Sequence, residues 1–302
     1  METPTVNFIQ AMREQIEKML DEGNLAEALK TANEAVDKCR KSLTVGEEAD
    51  ESLAAALELR SSVYLAQQNY NEVISDANKA IENLRERPEK FSDLGRLYAL
   101  IGAAYDAQGR TERVIDAWKK AVTYFEKCEP PLLLDVATMT NNLGFIAKAG
   151  GDLDSAEDFF LRALKILHSE VGEKHAQTAS VSNNLGAVYL AAGYLDQARE
   201  MHMMALETRR SIFGESHPDT AQSHNNLALA YLKTGDRSWA RKHFEKALEG
   251  FESLGIEYSS DLEAVASNYC DFLIEEGEGI LSGIIAHRVK ELLSAEQPVG
   301  AS

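Results

Sequence analysis

SNNLGAVYLAAGYLDQAREMHMMAL, residues 182–206, reads as two helices joined at Gly193. In the first, Leu185, Gly186 and Tyr189 recur at helical spacing and make one inward face. The glycine suits the left-handed position that closes a helix. In the second, Ala198 and Ala205 flank His202, so small and large residues alternate along one side. That alternation lets a neighbouring helix approach closely and interlock. Only the paired asparagines, Asn183 and Asn184, resist a helical reading, because the carboxamide competes for nearby backbone groups.

The segment recurs at a fixed interval of 42 residues, as TNNLGFIAKAGGDLDSAEDFFLRAL (140–164) and HNNLALAYLKTGDRSWARKHFEKAL (224–248). Weaker copies extend the series outward. SNYCDFLIEEGEGILSG (267–283) follows; ALIGAAYDAQGRTERVIDAWKKAV (99–122), RSSVYLAQQNYNEVISDANKAI (60–81) and KMLDEGNLAEALKTANEAV (18–36) precede. Turn glycines recur at Gly109, Gly151, Gly193, Gly235 and Gly277, and Trp118, Phe160, His202 and Phe244 share one register position. The connectors VGEKHAQTA (171–179) and FGESHPDTA (213–221) place Gly172 and Gly214 at helix ends and Pro218 in the next first turn. Self-similarity at such a period marks a repeat array. We expect an all-α, right-handed α-solenoid of about seven hairpins with a C-terminal capping helix. The hairpins span approximately 6–42, 50–87, 91–128, 133–170, 175–212, 217–254 and 259–294, one continuous superhelix over 1–294, with 295–302 a disordered tail. The apolar side of ILSGIIAHRVKELL (280–293) serves either as that cap or as a self-association surface.

These motifs resemble the tetratricopeptide repeat, through Leu-Gly-x-x-Tyr in the first helix and Gly…Ala…Ala across the second. The 42-residue period, NNLG/NNLA and the GExHPDTA connector resemble the subclass found in kinesin light chains. The resemblance implies that the stripe Ser180, Asn184, Ala187, Ala191, and its equivalents Thr138, Asn142, Phe145, Ala149 and Gln222, Asn226, Leu229, Lys233, line a concave groove. Asn142, Asn184, Asn226 and Asn268 then form a column of amides able to bond an extended peptide backbone, since a carboxamide offers two donors and two acceptors. Asn141, Asn183 and Asn225 lie about 100° round the helix and either share that role or bridge to the adjacent repeat. A purely structural ladder that sets the superhelical pitch is the alternative for both sets. Arg96 and Lys233 are the basic groove residues, too few for a clamp on a C-terminal carboxylate.

Composition bounds the function. Thirty-one basic against 49 acidic residues give a net charge of −18, which disfavours nucleic acid and anionic membranes as partners. Eight acidic residues and no lysine or arginine lie between Phe251 and Leu281, and Asp271 and Glu275 fall on the groove stripe, so a basic or mixed-charge ligand suits that end. Cys39, Cys128 and Cys270 show no CxxC pairing and the N-terminus no secretory pattern, which reads as a reducing, cytoplasmic setting. P-loop, HExxH and GxSxG patterns are absent, and GEGILSG (277–283) misses the dinucleotide spacing. MHMM (201–204) suggests soft-metal ligation, but His202 occupies a packing position. No catalytic residue, cofactor or metal is expected. The expected function is a non-enzymatic scaffold, monomer or weak homodimer, that binds a protein or peptide in its groove. Its rivals are a self-assembling oligomer and a peptide-responsive regulator.

Overall fold

Alanine at every close approach and one bulky residue between is a pattern only paired helices can bury, and helices are what form. The computed structural model describes residues 4–41, 46–84 and 87–295; the expected tail beyond 295 lies outside them. Among the described residues there are 14 α-helices and no strand. The chain divides into two compact units, Met1–Ile146 and Ala147–Ser302.

In the first unit, α1 (Pro4–Asp21) pairs with α2 (Leu25–Lys41), α3 (Glu47–Ala66) with α4 (Tyr70–Leu84), and α5 (Phe91–Ala107) with α6 (Thr111–Lys127). α7 (Leu133–Ala149) carries the division near its end. In the second unit, α8 (Leu153–Glu170) precedes three pairs: α9 (Ala176–Ala192) with α10 (Leu195–Phe213), α11 (Pro218–Thr234) with α12 (Arg237–Leu254), and α13 (Ser259–Glu275) with α14 (Gly279–Ala295).

Burial follows the register. Ala198, Ala205, Ala240 and Ala247 are fully buried, as is Phe244, and His202 is 1% exposed. At Trp118 and His202 the bulky member sits on a glycine of the paired helix. A Cβ added at Gly102 would lie 2.2 Å from the Trp118 indole, and one at Gly186 would lie 2.9 Å from the His202 ring. These glycines are contact surfaces rather than hinges. The first unit is also tied by Arg60, which donates to Asp76 on α4 (2.6 and 3.1 Å) and to Asn33 on α2 (2.9 Å).

The turns behave as the glycine spacing predicts. Gly193 and Gly235 close α9 and α11 with φ of 85° and 86°. The connector histidines cap the same helices: Nδ1 of His175 accepts from the Gln177 N–H (3.3 Å), and Nδ1 of His217 from the Asp219 N–H (3.2 Å). The second hairpin lacks its glycine, and Gln68 takes the left-handed position with φ of 61°. An L side chain is strained there, so Gln68→Gly is expected to stabilise the protein by about 0.5–1 kcal/mol. A chemical-denaturation midpoint that rises with unchanged slope is the check.

Candidate functional site

The repeated asparagines meet one another. In the second unit, Nδ2 of Asn226 donates to Oδ1 of Asn183 (2.8 Å), and Nδ2 of Asn268 donates to Oδ1 of Asn225 (3.1 Å). The second asparagine of one repeat therefore bonds the first asparagine of the repeat before it. Gln222, one turn before Asn226, donates to Asn226 Oδ1 (3.1 Å). His202 completes the cluster, donating from Nδ1 to the same Asn183 oxygen (3.1 Å). A carboxamide oxygen has two lone pairs, and those of Asn183 are both engaged.

This geometry explains two sequence oddities. Asparagine at the first position bridges repeats, and histidine at 202 replaces a packing aromatic because it supplies a donor to that bridge. Burial holds the His202 pKa down at about 4, with Lys148 and Arg209 adding to the effect. The ring is neutral at pH 7, as the hydrogen bond from Nδ1 allows.

Asn184, Asn226 and Asn268 are half-buried, Asn225 is buried and Lys233 is exposed in the last turn of α11. Ser180, on the expected groove stripe, accepts from Nη2 of Arg209 (3.2 Å). The other end of that guanidinium donates to Ser223 Oγ (2.9 Å) and the Asp219 carbonyl (3.1 Å). Arg209 is 6% exposed and burial pushes its pKa down, with Asp219 opposing. It pins α9, α10 and α11 together. A further chain runs from exposed Glu215 through buried His224 to half-buried His243: His224 Nε2 donates to the Glu215 carboxylate (3.2 Å), and the two Nδ1 atoms are 2.8 Å apart. The His243 ring stacks on Tyr231 and Trp239.

In the first unit, Asn141 donates to Asn142 Oδ1 (3.4 Å), and both are half-buried. Arg96 donates through Nε to Glu58 Oε1 (2.8 Å) and also bonds Asp93. Burial disfavours its charge, but Glu58 and Asp93 outweigh burial and raise its pKa. Arg13 of α1 reaches the other Glu58 oxygen (3.2 Å). Sequence reading missed Arg13 and Glu58, because the first two repeats are too worn for their register to be fixed by motif. It also missed Arg209, His224 and His243, whose partners come from neighbouring hairpins.

The stacked hairpins define an all-α helical-repeat protein. Residues 135–211 and 181–253 match the tetratricopeptide repeat family model, so over 135–253 the chain carries tetratricopeptide repeats. Among solved structures, the chain is similar to BtubC (BKLC) from P. vanneervenii, with 25% identity and a TM-score of 0.64 over 76% of this chain and 92% of that one. It is also similar in fold to the apo form of RapI (16% identity, TM-score 0.74, 96% and 78% covered). A third such structure is a Rap protein complexed with Competence and Sporulation Factor (15%, 0.54, 95% and 76%). No curated protein matches the chain in sequence. Tetratricopeptide domains generally mediate protein–protein interaction. No helix among the described residues is long and apolar enough to cross a membrane.

Proposed function

We propose that the chain is a cytoplasmic, non-enzymatic interaction module of the kinesin-light-chain-like subclass. It holds an extended peptide segment of a partner on the helix faces of the second unit that carry Asn184, Asn226 and Asn268. The 42-residue period, the NNLG/NNLA motif and the likeness to BtubC (BKLC) support the subclass.

One observation carries the peptide reading. The bonds from Asn226 and Asn268 to the preceding repeat engage one N–H of each amide, while both side chains remain half-exposed. Each keeps a second N–H, and the oxygen of Asn226 keeps one lone pair beside the bond from Gln222, so holding these amides costs little further when a guest binds. Bridging and binding are then two uses of one amide, and the loss of helix propensity serves both.

The test is a pull-down with the wild-type chain and an Asn184/Asn226/Asn268→Ala variant, followed by affinity measurement on any captured segment. Each amide is expected to contribute about 0.5–1.5 kcal/mol to binding, and Asn226→Ala also lowers stability by a similar amount through its lost bond to Asn183. A variant that melts earlier yet keeps every partner at wild-type affinity makes the ladder scaffolding only. The self-assembly reading draws on Ile274, Ile280 and Ile284 of the last hairpin, which are 59%, 85% and 57% exposed. Sedimentation of wild type beside Ile280→Ser/Ile284→Ser decides it, a concentration-independent monomer in both ending that reading.

A further inference from the structure

In the second unit, α13 lies against both helices of the hairpin before it. Asn268 bonds Asn225 of α11, and the rings of Tyr269 and Phe272 sit 5.7 Å from that of Phe244 on α12. Beneath it Ala221, Phe244, Leu248 and Phe251 are buried. One interval back, under α11, so are Ala179, His202, Leu206 and Arg209. One interval on, the same positions are Glu263, Ala286, Lys290 and Leu293. The first three are exposed and Leu293 is half-buried. With buried Ala266 and Val289 they line an open cavity of about 530 Å³ between α13 and α14. No helix follows α14 among the described residues, so the seat that a helix fills in two preceding hairpins is open in this one.

We infer that this cavity is a docking seat for one amphipathic α-helix of a partner protein, which stacks on α13 and α14 as α13 stacks on α11 and α12. It is a second interaction surface, independent of the peptide groove. The helix already seated one hairpin earlier specifies the guest: Val265, Tyr269 and Phe272 recur at i, i+4 and i+7 on one face. Ala286 stands where Phe244 does, which leaves room for an aromatic guest residue. Glu263 and Lys290, in place of Ala221 and Leu248, give the seat a charged rim, as suits a surface that meets water between encounters. A second copy stacked head to tail does not supply this helix. α1 closes as α13 does, the Gly23 N–H bonding the Leu20 carbonyl as Gly277 bonds Ile274. In that register it carries Ala11, Gln15 and Lys18 where α13 carries Val265, Tyr269 and Phe272, and all three are exposed. Seating α1 would bury an amide and an ammonium against Ala266 and Val289 without partners.

The probe is a library of 17-residue peptides on the α13 scaffold, Ser259–Glu275 with Cys270→Ala, N-acetylated and C-amidated. The positions of Val265, Tyr269 and Phe272 are randomised, and the library is screened on the full chain. Wild type is expected to enrich large apolar residues at all three. The best peptide should bind about tenfold or more tightly than its counterpart with serine at those positions. Ala286→Trp fills the seat and Ala286→Glu charges it. Because Ala286 is exposed, each should weaken that peptide about tenfold or more and leave the melting temperature unchanged. A library without enrichment, or affinity that neither variant alters, overturns the inference and leaves the groove reading standing. Self-association of the wild type that Ala286→Trp abolishes assigns the seat to a second copy and overturns the partner helix.

Discussion

Lowering the pH from 6.5 to 4 removes about 3 kcal/mol of stability at His202 alone. The ring is 1% exposed and burial holds its pKa at about 4, against about 6.5 in an unfolded chain. Between those values the unfolded state binds the proton and the folded state refuses it. The stabilisation is therefore complete above pH 6.5 and lost progressively as pH falls to 4. His243, also held at about 4 by burial and by neighbouring His224, changes stability in the same direction. For a unit of this size, the His202 contribution corresponds to a fall in melting temperature on the order of 6–12 °C. Glu51, which burial would raise but Lys90 and Arg87 hold below its ordinary value, loses stabilisation in acid too. The readout is accordingly the difference between wild type and His202→Phe. At pH 7 the two should lie within about 1 kcal/mol, since phenylalanine fills the site but forfeits one neutral hydrogen bond. At pH 4 the variant should be the more stable by about 3 kcal/mol. Parallel melting curves at both pH values would refute the burial account.

Gly102→Ala should destabilise the first unit, reversing the usual sign. In an open helix interior that change gains about 1 kcal/mol. Here the new methyl would lie 2.2 Å from the Trp118 indole, a buried ring that is only 5% exposed. Overpacking of this kind costs about 1–3 kcal/mol. Trp118→Ala alone costs about 3–5 kcal/mol through the cavity it leaves. In that background Gly102→Ala should become stabilising, so a double-mutant cycle gives a coupling of about 2 kcal/mol or more. Additive behaviour would mean that the ring does not rest on the glycine.

Pairing of helices could be read from residues because each hairpin is local: glycine, alanine and one bulky side chain at fixed offsets specify both helices and the turn. Gly193 and Gly235 were legible for that reason, as were the buried positions of His202 and Phe244. The site was legible only as a set of residue types. Asn226 meets Asn183 across 43 positions, and whether it bonds a neighbour or faces outward depends on how closely successive hairpins approach. A motif shows the amide but not its donor and acceptor directions. Arg13 and Glu58 lay deeper still, since the pairing joins the first hairpin to the second, where glycine and asparagine markers have eroded. Gln68, in the glycine position of that same hairpin, is one such erosion.

The amide contacts have a polarity, the downstream residue giving hydrogen and the upstream one receiving it. Position 267, where the pattern would supply the next receiver, holds serine, whose hydroxyl oxygen lies one bond nearer the backbone than a carboxamide oxygen. A hairpin grafted after α13 and α14 would thus meet a shorter acceptor, and lengthening this array by design begins with Ser267→Asn.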